Sequence, residues 1–139
     1  MRRIWMTASF IIATLAGAGA GHAAELDVTV EGLEQKGRLM LAIVDTEAAW
    51  DGKEQPLLAI DARVTEDTMR FRLTLPEGRV AIRLFHDENS NGKLDTNLLG
   101  IPREGYGFSN NPRVLGPASF SDAAFVIKGS KTTTTVKVQ

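Results

Sequence analysis

Between His86 and Asn111 the chain concentrates oxygen-bearing side chains and glycines, reading H-D-E-N-S-N-G-K-L-D-T-N-L-L-G-I-P-R-E-G-Y-G-F-S-N-N. Asp87, Asn89 and Asn91 recur at every second residue, Gly92 follows at once, and Asp95 comes three residues later. Short carboxylate and amide side chains at that spacing curl a backbone around one point, and the glycine permits the sharp turn. The chemistry this predicts is calcium coordination by the side chains of Asp87, Asn89, Asn91 and Asp95 and the main-chain carbonyl of Lys93. The match to an EF-hand-type loop stops at its twelfth place, where Leu98 stands instead of a bidentate glutamate, so a helix-loop-helix sensor is excluded. Glu104 is the candidate to complete the shell if the loop folds back, with a main-chain oxygen or water as the other options. An ion so held acts as a staple for a flexible loop, not as a catalyst. The same residues allow a metal-free reading, because Asn91-Gly92 is a strong hairpin signal and Asp and Asn side chains order turns by bonding to nearby amides.

The rest of the loop mixes glycines with two aromatics, Tyr106 and Phe108. Either they line a ligand platform beside Arg103, Ser109 and Asn110, or they fold inward and plug one end of the core; the plug is the expectation, since burial favours aromatic side chains. His86 shares parity with Val80, Ile82 and Leu84, which predicts a histidine at the edge of the core hydrogen-bonded to the loop and not a catalytic base. With one histidine beyond the leader and no cysteine, ordinary zinc sites lack ligands. A triad of Ser109, His86 and Asp87 or Asp95 can be drawn, but no G-x-S-x-G accompanies it. Acidic pairs such as Asp95 and Glu104 occur in any acidic loop. No catalytic residue is assigned.

Arg2 and Arg3 precede an uncharged apolar run from Ile4 to about Ala20, which ends in small residues. This predicts a secretory signal peptide over 1–23 cut after Ala23, with a cut after Ala20 as the alternative; the run is too weakly apolar in its second half for a membrane anchor, and no span remains after cleavage. The 16 Lys and Arg then fall to 14 against 17 Asp and Glu, a net charge of −3. No basic stripe is left to neutralise phosphates, so nucleic acid is not an expected partner. The absence of cysteine excludes disulfides, thiol nucleophiles and lipid attachment at an N-terminal cysteine. Residues 24–139, about 115 in all, suffice for one domain that is periplasmic or secreted and depends on its core or a bound ion.

Holding such a loop requires a rigid frame, and alternation of period two supplies it. Leu26, Val28 and Val30, and then Met69, Phe71, Leu73 and Leu75, alternate with polar residues as half-buried strands do. Leu39 to Val44 and Val80 to Phe85 are more continuously apolar and predict central strands covered on both faces. Ile60 to Val64, Ala124 to Ile127 and Thr133 to Val138 add three more, the last two joined by Lys128-Gly129-Ser130-Lys131. Pro76-Glu77-Gly78 predicts a hairpin between antiparallel neighbours. Thr46 to Gln55 holds one short helical turn, with Trp50 covering an open edge of the core. The fold class is all-β, a single antiparallel β-sandwich of about seven strands with transthyretin- or immunoglobulin-like Greek-key connections and one long ordered loop.

The blocks L-P-E-G-R-V-A-I at 75–82, H-D-E-N-S-N-G-K-L-D-T-N at 86–97, G-I-P-R-E-G-Y-G-F-S-N-N at 100–111 and G-P-A-S-F-S-D-A-A-F at 116–125 resemble, in order and spacing, the small exported bacterial proteins of domain of unknown function 2141. Ser90 stands where that family more often has glycine. The resemblance implies an exported single domain of no established activity and supplies no catalytic residues. The D-x-N-x-N-G-x-x-D run is also similar to calcium loops in β-sandwich modules of bacterial adhesins, over the loop and its flanking strands only. The function expected is an exported, calcium-stabilised binding or accessory module whose loop faces a protein, glycan or small ligand. The alternatives are a periplasmic enzyme with its site in the 86–111 loop, and a structural accessory protein without metal.

Overall fold

The computed structural model describes residues 10–14 and 23–139 apart from residue 115. Nine strands occur among them: β1 (Phe10–Thr14), β2 (Ala23–Glu31), β3 (Arg38–Val44), β4 (Leu58–Arg63), β5 (Thr68–Pro76), β6 (Gly78–Asp87), β7 (Tyr106–Phe108), β8 (Phe125–Ile127) and β9 (Lys131–Lys137). They form an all-β sandwich. One sheet has the order β1-β5-β2-β9; the other runs β4-β3-β6-β7, with β8 also paired to β6. Two helical turns, α1 (Glu47–Trp50) and α2 (Phe120–Ala123), complete the set, each capped by a hydroxyl side chain, Thr46 and Ser119 respectively. The apolar side chains of the alternating strands meet between the sheets: Leu26, Val28, Val30, Phe71, Leu73 and Leu75 from one, Leu39, Leu41, Ile43, Val80, Ile82 and Leu84 from the other. All seven expected strands occur, as does the helical turn carrying Trp50.

Three features depart from expectation. Pro76-Glu77-Gly78 does not close a hairpin, because β5 pairs with β2 and β1 while β6 pairs with β3, β7 and β8; the turn carries the chain from one sheet to the other. The sheets are not wholly antiparallel, since β9 lies parallel to β2. The expected leader lies largely outside the described residues, but its segment Phe10–Thr14 is β1, parallel to β5 from Phe10 opposite Arg70 to Thr14 opposite Thr74.

The two continuously apolar strands, β3 and β6, are central in the second sheet, but its outer face is covered only at one end. There Val44 and Ala81 lie under Ala49, Phe120 and Ala123, with Trp50, Phe108 and Ala124 packed around them. Trp50 is fixed by donating from Nε1 to the carbonyl of Ala118 at 3.1 Å. Toward the other end Met40, Ala42 and Phe85 have no such lid.

Candidate functional site

The long loop leaves β6 at Asp87, and its first half is tied by buried carboxylates. Asp87, fully buried, accepts the amides of Asn91 at 3.1 Å and Gly92 at 2.7 Å, one on each oxygen, so the backbone curls around it. Glu104, also buried, accepts the amides of Glu88 at 2.6 Å and Asp95 at 2.9 Å and thereby clamps the far end of the loop to its start. Asn89 and Asn91 both donate their side-chain amides to Asp95, Asn91 at 2.7 Å. These bonds, from Asn91 first and Asn89 second, hold the Asp95 carboxyl below the usual carboxylate range. Lys93 joins through its own amide, which donates to Asn91 Oδ1 at 2.9 Å. Gly37 allows the loop to seat: a Cβ there would stand 2.1 Å from the Asp87 carbonyl, so no other residue fits.

Asn89, Asn91 and Asp95 thus meet in one ring at the surface, and Asp87 and Glu104 lie beneath it. Among the described residues no three carboxylates or imidazoles gather closely enough to hold a metal ion. The donor set suits calcium in kind, but the side-chain oxygens of Asn89 and Asn91 accept the main-chain amides of Asn91 at 3.3 Å and Lys93 at 2.9 Å, so turning them toward the Asp95 carboxylate would break both bonds and only a cation between them would offset the loss.

The remaining predicted residues separate by role. His86 is 1 % exposed on the inner face, and its Nε2–H donates to the carbonyl of Lys36 at 2.6 Å, in the turn before β3 and not in the long loop. Ser109 is buried in the gap between the two short strands that share one edge of β6. Its hydroxyl accepts the Ile82 amide at 2.8 Å and donates to the Ala123 carbonyl, supplying the ladder bond that neither β7 nor β8 makes. Asn110 and Asn111 both take the left-handed conformation. The first donates to the carbonyls of Asp122 and Ala124, and the second brackets β9 by bonding to Thr135 and Lys137. Ser109 and Asn110 are therefore splices of the frame and do not stand on a platform. Arg103 is exposed beside Asp95, whose main-chain carbonyl accepts its amide at 2.7 Å. The Ser109 hydroxyl and the His86 imidazole each bond to main-chain groups, not to one another.

Tyr106 and Phe108 do not plug the core. Gly107 between them occupies the inner side, where a Cβ would meet the Lys137 carbonyl at 2.9 Å, so strand alternation sends both aromatic rings to the outer face of the second sheet. There they stand edge to face with centroids 5.8 Å apart. They form part of the wall of a cleft of about 880 Å³ whose floor is Met40, Ala42, Ala59 and Phe85 and whose rim is Leu94, Thr96, Ile101, Pro102, Val114 and Pro117. A smaller hollow of about 510 Å³ beside Trp50 adjoins it through Arg83, Phe108 and Pro117. The sequence reading missed the floor because it assigned both faces of β3 and β6 to the interior; the continuous apolar runs Leu39–Val44 and Val80–Phe85 were its signal.

The rim is the middle of the same loop. Thr96 bridges to Pro102, Asn97 and Ile101 bond across, and the Asn97 side chain accepts the amides of Leu99 and Ile101 at 2.9 and 3.0 Å. This tight turn leaves Leu98 105 % and Leu99 83 % exposed, with Ile101 and Val114 also exposed.

A family model, described as an uncharacterized protein conserved in bacteria, matches residues 28–135. The chain belongs to the DUF2141 family. Comparison with curated proteins and with solved structures returned no match. The DUF2141 match spans every strand from β3 to β8, the whole loop from Asp87 to Glu104 and every residue of the cleft.

Proposed function

We propose that the protein is an exported binding module whose ligand site is the outer cleft of the second sheet, with the 87–104 loop as a stapled wall. The observation that carries this reading is the uncovered apolar floor: β3 and β6 put Met40, Ala42 and Phe85 on a face that a monomeric sandwich ordinarily makes polar or covers. Its volume lies in the range of small-molecule sites, roughly 300–1,000 Å³, and strands, not loops, form its base. Calcium is proposed as the ion that tightens the loop, held by the side chains of Asp87, Asn89, Asn91 and Asp95 and the Lys93 carbonyl, with Glu104 bracing the shell from below. The ion would supply positive charge at the ring in place of the amide groups that now face Asp95. Export to the periplasm or beyond is proposed from the two arginines, the apolar N-terminal run and the small residues that end it.

The test of the binding reading is a thermal-shift panel of oligosaccharides, peptides and small apolar compounds on the wild-type chain and on Ala42→Phe, which fills the cleft from its floor. At least one compound should stabilise the wild type and not the variant; a panel whose every active member works equally on both removes the cleft from the account. For the ion, calorimetry in chelator and in millimolar calcium should show a gain of about 2.7 kcal/mol at a hundredfold excess over Kd. Asp95→Asn should abolish that gain, and an unchanged midpoint in the wild type would leave the loop a purely hydrogen-bonded staple.

A further inference from the structure

Resting on the reading of the cleft as the ligand site, we infer that its ligand is a neutral single-chain amphiphile, of the monoacylglycerol or fatty-alcohol class. The charge pattern argues first. Among the described residues two charged side chains border the cleft, Asp61 and Arg83, and both are already engaged. Asp61 is ion-paired with Arg38 across the β3–β4 ladder. Arg83 donates to the main-chain carbonyls of Trp50 and Ala49 and lies over the Trp50 ring at 5.9 Å. An uncharged ligand disturbs neither arrangement, whereas a charged one would compete with Arg38 for Asp61 or with the Trp50 and Ala49 carbonyls for Arg83.

The polar inventory argues next. The hydroxyls of Thr96 and Tyr106 are the uncharged polar side-chain groups of the lining. That number matches one small head group, whereas a glycan would leave most of its hydroxyls facing Met40, Ala42, Ala59, Phe85 and Phe108 without partners. A peptide fares no better, because the amides and carbonyls of β3 and β6 beneath the cleft are spent in ladders with β4, β7 and each other, so peptide groups laid across this face would be desolvated unpaired. A flexible hydrocarbon chain makes neither demand.

The loop tip supplies the approach. The turn that contributes Thr96, Gly100, Ile101 and Pro102 to the rim also carries Leu98 and Leu99, so apolar surface continues outward from the cleft into solvent. Of the five large hydrophobic side chains exposed among the described residues, four, Leu98, Leu99, Ile101 and Val114, belong to this loop and its continuation. An amphiphile leaving a lipid phase would meet that surface before it met the floor.

The experiment is fluorescence titration of the full chain with N-phenyl-1-naphthylamine, a neutral apolar probe, followed by competition with monoolein, with maltooligosaccharide and with an apolar hexapeptide. The inference expects saturable enhancement, full displacement by monoolein alone, and at least a tenfold weaker probe affinity in Ala42→Phe. Ala59→Glu, on the exposed edge strand β4, tests the same floor without touching a packed residue and should weaken binding in the same direction. Displacement by the sugar or peptide in place of monoolein overturns the lipid assignment and leaves the cleft reading intact. Absence of enhancement, or enhancement indifferent to both substitutions, overturns the lipid assignment as well, and the thermal-shift panel then decides the fate of the cleft separately.

Discussion

The outer face of the second sheet has two ends built from the same two strands and treated in opposite ways. At one end Val44 and Ala81 are sealed by α1, α2 and the Phe120 ring, which is itself only 6 % exposed. At the other Met40 and Phe85 occupy equivalent outward positions and form the floor of an open cleft. A chain able to fold two helical turns over one end can cover apolar surface when stability requires it. That it holds a loop away from the other end, with buried carboxylates to keep it there, marks the opening as a feature that the fold maintains.

The sharpest way to break this comparison is to truncate one side chain at each end. Phe120→Ala should destabilise by about 3–5 kcal/mol, the usual cost of removing a buried phenyl ring. Met40→Ser should cost less than about 1 kcal/mol, because its partly exposed side chain gives up little buried surface in the free protein. Urea denaturation of both variants reads the difference, and equal costs would mean that the cleft is closed in solution.

A smaller effect is expected from the loop clamp. Glu104→Gln replaces a carboxylate that serves two amides with a group that has one acceptor, and should cost about 2 kcal/mol while raising hydrogen exchange at Glu88 and Asp95. The surface ring gives a pH signature of its own. Asp95 is held below the ordinary carboxylate range, so its contribution is complete above the unfolded-state value of about 4 and is lost as pH falls from there through its folded value. The Asp95→Asn variant should show a flatter stability profile than the wild type below about pH 4, and superimposable profiles would count against the ring. The smallest effect belongs to Ser90, a non-glycine residue at φ +57°. Ser90→Gly should relieve that backbone and stabilise by roughly 0.5–1 kcal/mol, seen as a raised midpoint.

The frame was legible from Leu26-Val28-Val30 and Phe71-Leu73-Leu75 because alternation is a local property, and each buried residue repeats the same message. Pro76-Glu77-Gly78 misled for the opposite reason: a tight turn joins two strands in sequence, but whether they pair or part depends on β2, β3 and β9, which no local pattern reports. The polar half of the loop was legible as a cluster, since Asp87, Asn89, Asn91 and Asp95 do fold onto one another, whereas the role of Ser109 was not. Its hydroxyl fills a gap in a ladder between β7 and β8, a vacancy that exists only once three distant segments have assembled. The cleft lay hidden in runs that were read as doubly buried. Apolar residues on both faces of a strand report that both faces shun water, and they do not say whether protein or ligand provides the cover.

The chain contains two methionines within the sandwich, Met40 on the cleft floor and Met69 packed against the core from the other sheet, and methyl-labelled methionine gives each its own resonance. Titration with monoolein should shift the Met40 methyl signal in a saturable way and leave that of Met69 in place. A Met40 signal that stays put while ligand binds, or that moves no more than Met69, would contradict the assignment of the outer cleft as the site.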